Sequence, residues 1–535
     1  MSKESYFQVT VAETMGAEEI LNVYMENYNK VRKLLDEDSK NDPANEPHLS
    51  KYKAKEILCA MKVNLLKHTA SEKLFIGNRL EAMLGVVLLN IGIIDRATDE
   101  LTSSDSVLSE AVTILAPYSS KPEIVITLIE VYNNLGLLWL KREEPEKAKT
   151  YLLKAKEAYE TFKCSLLMPL SLEHILSNGE TNAADFMILE KAYTVTLFHL
   201  AQVYSSLKET LKSAIYCHIS LRRQLQHQDY EPVKWAMNSA ALSEVFAKLN
   251  GFFQSRYHLA AASTILKQYG DTLEEGENKN EATLVRFKHR SADVAICWAK
   301  YCYRLMEAST KKVDDAEDMS NLSLEDNESI CSGDMKSLVF PDLDVSGFES
   351  KVTDKFILTY QDMQEVFLCC QTWLDKAKEY YTLDTLTSSE NTIEIIQLCA
   401  LSYNYLAFYE DDDVRRAEIL KKRIDMLEDL VKEVNPKHYL HCCRTLWFEL
   451  GEVYSQFLNI KLQKENLTLH SMKEINMLCE KIIEKYELFL SSFKDSDGKM
   501  PVKLECDFIR PVATAHVLIA KHIKVLGKSE IIYFI

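Results

Sequence analysis

A short cluster of large and small residues recurs at fixed spacing along this 535-residue chain. Its most complete copy is Trp447, Leu450, Gly451 and Tyr454. On an α-helix these positions form one stripe, and the small residue allows a neighbouring helix to approach closely. The spacing is that of the first helix of a tetratricopeptide repeat (TPR). The cluster therefore predicts helices that pack in pairs.

Three further copies of the cluster lie in the first half of the chain. They are Tyr132, Leu135, Gly136 and Trp139; Leu197, Leu200, Ala201 and Tyr204; and a weaker Ser239, Leu242, Ser243 and Phe246. In each copy a second set of residues begins 12 positions after the small one, at Ala148, Ser213 and Ser255. Because both helices of the pair match, we predict an all-α fold of TPR-like antiparallel helix pairs.

A stack of helical pairs also suits the length and composition. A single compact core does not grow to 535 residues, whereas each pair in a solenoid buries its apolar face only against its neighbours. Gly and Pro number only 14 and 11, and they lie mainly between the apolar-periodic segments. This distribution favours long helices over strands.

The charge and hydropathy of the chain restrict its partners. A net charge of −17 argues against nucleic acid, whose backbone is bound by clustered Lys and Arg. No apolar run approaches the roughly 20 residues that cross a bilayer, and the N-terminus has no apolar signal core. We therefore expect a cytoplasmic protein that does not insert into membranes.

The sequence gives no sign of catalysis or of a cofactor. It contains no glycine-rich phosphate loop, no His-Glu-x-x-His and no Gly-x-Ser-x-Gly. The 13 cysteines include no Cys-x-x-Cys pair, so buried free thiols are the expectation. His438, His441 and Cys442 share a helix face and form the one zinc alternative, without a fourth ligand. We predict no catalytic residue, no cofactor and no metal.

Composition divides the chain into four parts. They are an N-terminal TPR-like helical subdomain (1–269), a polar loop with a long connecting helix (270–312), an acidic disordered linker (313–350) and a C-terminal helical subdomain (351–535). The evidence for the linker is the composition of residues 314–334, which hold eight acidic residues and no Lys or Arg. Its Ser323 and Ser329 are candidates for phosphorylation or serve solubility alone.

Several segments resemble the kinesin-binding protein family (KBP). They include Leu200-Ala201-Gln202-Val203-Tyr204, Arg223-Gln224-Leu225, Trp235-Ala236-Met237-Asn238, Ile296-Cys297-Trp298-Ala299-Lys300-Tyr301-Cys302 and Leu406-Ala407-Phe408-Tyr409-Glu410. The resemblance spans most of the chain and is that of an invertebrate or otherwise divergent member. It stops at Ile535, where family members continue, so we expect a shortened C-terminus and an uncapped last hairpin.

The resemblance implies a right-handed α-solenoid of two subdomains that clamps the motor domain of certain kinesins. Such proteins cover the microtubule-binding face of the motor and act by occlusion, without chemistry of their own. The family is associated with microtubule organisation and axon growth, which implies a cytoskeleton-associated location. We expect the chain to be monomeric.

The first helix of each TPR pair lines the concave face, so residues beside its packing stripe are candidates to meet a partner. These candidates are Asn133 and Lys141 in the first copy, Gln202 and Ser206 in the second, and Glu244 and Lys248 in the third, with Gln224 and Asn238 in family-like segments. Each polar group has an alternative role in capping or bridging helices. Where the family often has an aromatic residue and a Thr on this groove, the chain has His199 and Ala241.

Two other functions remain open from the residues alone. A co-chaperone that captures a C-terminal carboxylate needs Lys, Asn and Arg at set groove positions, and Leu137 occupies one where Asn is expected. A general TPR adaptor or a scaffold in an unrelated complex is the other alternative. The acid excess adds the hypothesis that a negatively charged groove attracts the basic surface with which a kinesin grips acidic tubulin.

Overall fold

The computed structural model describes residues 21–68, 78–176, 183–275, 281–315, 338–381, 388–463, 469–495, 497–501 and 503–526. Within these ranges the chain forms helices and their connections and no β-strand, which confirms the all-α prediction. The chain divides into two compact units, Met1–Tyr230 and Glu231–Ile535. The boundary differs from the predicted one after residue 269, because the two helices that follow Tyr230 pack with helices of the second unit.

The first unit is built from consecutive helices that pack as antiparallel pairs. Its helices are α1 (21–36), α2 (Leu49–His68), α3 (Arg79–Ala97), α4 (Leu101–Leu115), α5 (Val125–Lys141), α6 (Pro145–Cys164), the short α7 (Leu172–Leu176), α8 (Ala183–Ser206) and α9 (Thr210–Gln226). The first helices of successive pairs, α3, α5 and α8, also pack side by side. This unit therefore has the solenoid-like arrangement expected of TPR-like pairs.

The second unit continues the same principle with longer helices. They are α10 (Pro232–Lys248), α11 (Phe252–Glu275), α12 (Glu281–Asp314), the short α13 (Ser346–Glu349), α14 (Tyr360–Tyr381), α15 (Ser388–Tyr409), α16 (Asp413–Glu433), α17 (Leu440–Leu462), α18 (Leu469–Ser491) and α19 (Cys506–Val525). Apolar residues at helical spacing predict helices at about 360–382, 390–409, 412–434, 437–462, 470–494 and 508–526. The six helices from α14 to α19 lie within three residues of these ranges at every end. Successive helices pair here as well, for example α17 with α18.

Four hairpins close with the same tight turn. The residue seven positions after the small signature residue has a positive φ in each: Asp99 at 67°, Glu143 at 61°, Lys208 at 61° and Asn250 at 57°. The next N–H donates to a carbonyl five residues earlier, as Glu144 does to Trp139 at 2.9 Å. This is the Schellman geometry that ends a helix with one left-handed residue. The shared turn indicates that α3/α4, α5/α6, α8/α9 and α10/α11 are copies of the same repeated hairpin.

The small signature residues are close-packing positions, as the sequence predicts. A Cβ added at Gly136 would lie 2.6 Å from Leu152 Cγ of α6, and one at Gly451 would lie 2.5 Å from Tyr486 Cζ of α18. In other pairs a serine 12 positions on donates its hydroxyl to the small residue's carbonyl. This occurs from Ser104 to Gly92 and from Ser213 to Ala201, both at 2.8 Å.

The α3/α4 hairpin is a TPR-like copy that sequence inspection missed. Its small residue is Gly92, and the aromatic position three residues later is occupied by Asp95. Asp95 is fully buried and pairs with Lys55 of α2 at 2.7 Å. An ion pair to the preceding helix thus replaces the aromatic packing by which the other copies were recognised.

Residues 338–350 of the predicted disordered linker are ordered, and together with residues 351–357 they form a segment that we call the strap. Phe340 is only 2% exposed and packs against Trp235 and Tyr257, with ring centroids 5.1 and 5.9 Å away. The Phe340 N–H donates to Tyr257 Oη at 2.8 Å, and Arg256 donates to the Val352 carbonyl at 2.9 Å. The linker prediction is wrong for residues 338–350, because local composition gives no sign of anchors that lie about 80 to 100 residues earlier in the sequence. Ser323 and Ser329 lie outside the described residues.

The sequence predicts a long loop over residues 163–184, which hold Pro169 and Gly179, and a polar segment over 270–283, and helices occupy part of both. Of the loop over 163–184, α6 extends to Cys164 and α7 occupies Leu172–Leu176. Of the polar segment over 270–283, α11 extends to Glu275 and α12 begins at Glu281. Lys163, Asp271 and Glu281 are exposed at helix ends within these segments, whereas Ser171, next to α7, is buried.

One carboxylate joins three helices of the first unit. Glu190 of α8 is 2% exposed and accepts hydrogen bonds from Tyr159 at 2.9 Å and Lys163 at 2.7 Å, both on α6. It also pairs with Arg223 of α9, and His227 lies 3.5 Å away. Burial alone would raise the pKa of Glu190, but these cationic and hydroxyl partners together lower it. Glu190 therefore carries a negative charge whose partners hold α6, α8 and α9 together.

Candidate partner-binding surfaces

The predicted partner contacts on α5 differ in exposure. Asn133 is 4% exposed, and its Nδ2 donates to the Ala192 carbonyl of α8 at 3.1 Å. It therefore bridges two helices, which is the alternative role that the sequence left open for it, and its burial leaves little surface for a partner. Lys141 lies at the end of α5 with an exposed side chain, and its Nζ pairs with Asp99 Oδ1 at 2.6 Å. Lys141 remains accessible to a partner.

The predicted residues on α8 form one accessible stripe. Gln202 and Ser206 are exposed, and His199 is half-buried one turn before Gln202. His199 Nδ1 and Gln202 Oε1 form a hydrogen bond of 3.1 Å. Burial lowers the pKa of His199, and the charge of Arg96 adds to this effect, whereas the hydrogen bond with Gln202 opposes it. The pair presents a polar surface.

The same α8 stripe continues into exposed apolar residues toward the start of the helix. Ile188 is 41% exposed and Val195 is 39% exposed. Residues at such spacing fall on one side of a helix. The stripe therefore offers a partner both apolar area and the amide of Gln202.

Gln224 lies in a cleft between α8 and α9 that has a volume of about 300 Å³. Ile188, Lys191 and Arg223 also line this cleft, and Gln202 does not. Ile188 precedes Gln202 by 14 residues on α8, which corresponds to about 21 Å along a helix. A partner that touches both glutamines must therefore extend over several helical turns.

Sequence inspection missed two charged residues on the first helices of this unit. Arg96 of α3 donates from Nη2 to Asn134 Oδ1 of α5 at 3.2 Å, and its buried Nε has no hydrogen-bond partner among the described residues. Glu130, one turn before Asn134, has no ion pair or hydrogen-bonded side-chain partner in the described part of the chain. Burial raises the pKa of Glu130 to about 7. A lone acidic residue within the apolar α5 segment is the sequence signal that could have identified this position.

In the second unit, four predicted residues lie on α10. Asn238 is half-buried, whereas Ala241 and Lys248 are exposed. Glu244 pairs with Lys248 at 3.0 Å and borders a small cleft of about 130 Å³ between α10, α12 and α15. Burial would raise the pKa of Glu244, but Lys248 and the charges of Lys300 and Arg304 lower it.

The cationic residues of that cleft are paired within the chain. Lys300 Nζ lies 2.6 Å from Glu394, and Arg304 lies 2.6 Å from Glu307. The cleft therefore has charges of both signs. Their mutual pairing means that a partner must compete with existing ion pairs to bind them.

A third cluster, on α15, α16 and α17, was not predicted. Arg423 is 3% exposed, donates to Asn404 Oδ1 at 2.8 Å and lies 3.6 Å from Glu449 Oε2. Burial raises the pKa of Glu449 to about 6 and also raises that of Glu452, one turn further on. Two carboxylates thus share one guanidinium. Because Glu452 is exposed, the cluster presents excess acidity to solvent.

The structure shows no metal centre in its described ranges. His438, His441 and Cys442 are not part of any grouping of three ligand residues there. The cysteines of these ranges are all free, and Cys59, Cys164 and Cys506 are exposed rather than buried as expected. No described helix is both long and apolar enough to span a bilayer.

Comparisons with known proteins bear on what these surfaces bind. A family model described as KIF-1 binding protein C terminal matches residues 233–530. The chain is similar to the KIF-binding protein of Gallus gallus, with 34% identity over 93% of this chain and 86% of that protein. The chain is also 34% identical to the KIF-binding protein of Xenopus tropicalis, over 93% of this chain and 87% of that protein. A solved structure of Kinesin binding protein (KBP) aligns with a TM-score of 0.60 and 26% identity, covering 93% of this chain and 86% of that one.

Proposed function

Because the chain belongs to the KIF-binding protein family, we propose that it binds kinesin motor domains and prevents them from attaching to microtubules. The observation that carries this proposal is the similarity to KIF-binding protein along 93% of the chain. The protein acts as a binder without chemistry of its own. Its place of action is the cytoplasm, on the cytoskeleton, where it regulates microtubule-based transport and axon development.

The electrostatics of the surfaces support a basic partner. A kinesin grips acidic tubulin, so its microtubule-binding face is expected to be basic. Glu130 in the first unit has no cationic partner among the described residues, and Glu449 and Glu452 in the second unit share only Arg423. Each site gains a counter-charge when a Lys or Arg of the motor approaches. Covering the basic face of the motor would deny it to the microtubule.

The α8 stripe supports a contact that is not purely electrostatic. Ile188 and Val195 supply exposed apolar area, and Gln202 supplies an exposed amide. Interfaces combine an apolar centre with hydrogen-bonding groups that fix register. His199 and Ala241, where the family often has an aromatic residue and a Thr, would then adjust which kinesins are held.

The first test is a pull-down of a panel of purified kinesin motor domains with the full chain. We expect at least one motor to bind and its microtubule-stimulated ATPase activity to fall as the protein is added. If no motor binds a preparation whose circular dichroism shows it to be folded and helical, the proposal fails. Binding without loss of microtubule-stimulated ATPase would reject occlusion while retaining the kinesin contact.

A second test locates the contact. The double variant Gln202→Ala/Gln224→Ala is expected to weaken binding of the responsive motor at least tenfold, because it removes amides from the α8 stripe and from the α8/α9 cleft. Gln226→Ala with Gln361→Ala is the matched control, since both glutamines are exposed and neither lines that cleft. If the two double variants bind the motor with equal affinity, the contact lies on other surfaces of the protein.

A further inference from the structure

Helix α2 carries apolar residues on two roughly opposite faces. The buried stripe lies in the core of the first unit, and its members are Ala54, Leu58, Met61 and Leu65. We call the second face the outer stripe, and its members are Tyr52, Glu56, Cys59, Val63 and Leu66. Each residue turns an α-helix by about 100°, which places the two stripes on opposite sides of α2. The helix therefore has one more apolar face than the core of its own unit uses.

The outer stripe is open to solvent along its length. Tyr52 and Leu66 are each 43% exposed, Val63 is 55% exposed, and Cys59 is exposed between them. Successive members of the stripe are spaced alternately by four and three residues. This is the heptad spacing of a coiled-coil seam, in which each position contacts a second helix. The stripe therefore has the form of a helix-docking surface.

Lysines border the outer stripe on both edges, although the whole chain has a net charge of −17. On one edge Lys62 pairs with Glu110 of α4 at 2.7 Å, and Lys55 is also paired with carboxylates of the first unit. On the other edge Lys53 and Lys67 are exposed and form no ion pair within the described part of the chain. This open edge presents two positive charges about 21 Å apart along the helix.

The charge pattern argues against a second copy of the chain as the occupant. Two outer stripes packed face to face would place lysines of one copy beside lysines of the other, whichever way the helices run. Like charges at an interface oppose association. An acidic helix has the complementary pattern, because its carboxylates would lie beside Lys53 and Lys67. Glu56 is the one acid of the stripe, and a basic residue in the partner's seam would pair with it and set the register.

We propose that the outer stripe of α2 is a docking site for an amphipathic helix of another protein. That helix has apolar residues at heptad spacing, acidic residues along its flanks and one basic residue in its seam. It buries Tyr52, Val63 and Leu66, and its acids pair with Lys53 and Lys67. The chemistry of this partner is opposite to that proposed for the kinesin motor domain, whose contact face is basic. The chain thus has a second interaction surface that is selective for a second kind of partner.

The probe for this site is a synthetic peptide of about three heptads with Leu and Val in the seam, one Lys in the seam and Glu at the flanking positions. Repulsion between the flanking Glu residues keeps the probe from pairing with itself. The control peptide has Lys at the flanking positions instead. By fluorescence anisotropy at low salt, the full-length protein should bind the acidic peptide at least tenfold more tightly than the control. Equal binding of the two peptides, or no binding of the acidic one, would overturn the proposal.

Two double variants locate the contact. Lys53→Glu/Lys67→Glu should weaken binding of the acidic peptide at least tenfold and strengthen binding of the Lys-flanked peptide. Val63→Gln/Leu66→Gln should weaken binding of the acidic peptide by a similar factor, because it removes the apolar area of the stripe. Leu368→Gln is the control, since Leu368 is exposed on α14 in the second unit. Unchanged affinity in either double variant would contradict the proposed site.

Cys59 reports directly on whether the stripe is occupied. Its alkylation by iodoacetamide should slow severalfold when the acidic peptide is added, whereas alkylation of Cys506, which is exposed on α19, should not change. In the protein alone, protection of Cys59 that grows with protein concentration would overturn the proposal in favour of a second copy. Protection at every concentration would show that the chain covers its own stripe, and this too would overturn the proposal. None of these measurements depends on kinesin binding.

Discussion

Hairpins α5/α6 and α17/α18 begin with the same glycine-centred signature but end differently. Gly136 packs on Leu152, 16 residues later, whereas Gly451 packs on Tyr486, 35 residues later. In α5 the polar Glu143 takes a left-handed conformation seven residues after the glycine and ends the helix. The signature therefore specifies a close contact, and the helix end decides which residue makes it.

The residue at this seventh position explains the difference. In α17 it is Leu458, which is 1% exposed, so the helix continues past it to Leu462. A left-handed residue at the end of a helix is partly exposed and is favoured for Gly and Asn, so a buried leucine does not suit it. One position thus separates a tight TPR turn from a long helix.

The largest effect is expected from Gly451→Ala. Its new methyl group would overlap the ring of Tyr486, which is fully buried and cannot rotate away. Overpacking costs about 1–3 kcal/mol and the helix gains about 1 kcal/mol from Ala, so we expect a net loss of up to about 2 kcal/mol. Hydrogen exchange of α17 and α18 amides measures this loss locally.

Gly347→Ala is the control for that measurement, because a Cβ there would meet no atom within 4 Å. It should leave stability unchanged or slightly raised. Adding Tyr486→Leu to Gly451→Ala should restore part of the loss, as expected for residues in contact. Strictly additive losses would show that the two residues do not clash.

A smaller loss is expected from Gly136→Ala in the tight hairpin. The methyl group would meet Leu152, a flexible side chain that can change rotamer, although its Cγ is 2.6 Å away. We expect a net loss below about 1 kcal/mol, since the helix gain from Ala offsets most of the strain. A loss in α5/α6 larger than that of Gly451→Ala in α17/α18 would reverse the comparison.

The smallest effect is expected at the turn itself. Glu143→Gly removes the cost of a left-handed non-glycine residue but adds entropy to the unfolded chain, so a gain of several tenths of a kcal/mol should result. Slower exchange of the Glu144 amide, which donates to Trp139, would report it. Glu143→Val should speed that exchange, because a β-branched residue suits this conformation poorly.

The sequence predicted contacts that recur with helical period and missed those between distant segments. The ranges of α14 to α19 follow from apolar spacing alone, and Gly136 and Gly451 pack as the signature implies. Phe340 was assigned to a disordered linker because acidic composition dominates around it, while its partner Tyr257 lies 83 residues earlier. Arg423 and Glu449 were missed for the same reason, since helical period alone does not tell which charges of separate helices meet.

In repeat proteins, single hairpins can be deleted or exchanged as modules. In this protein the contacts of Glu190 limit which hairpins can be removed. It lies on α8 but draws its partners from α6 and α9, so cutting between the α5/α6 and α8/α9 pairs would separate Lys163 and Tyr159 from it. Arg223 would remain as its neighbour. The exchangeable module in this region is therefore α5 to α9 together, and a shortened design should keep that block whole.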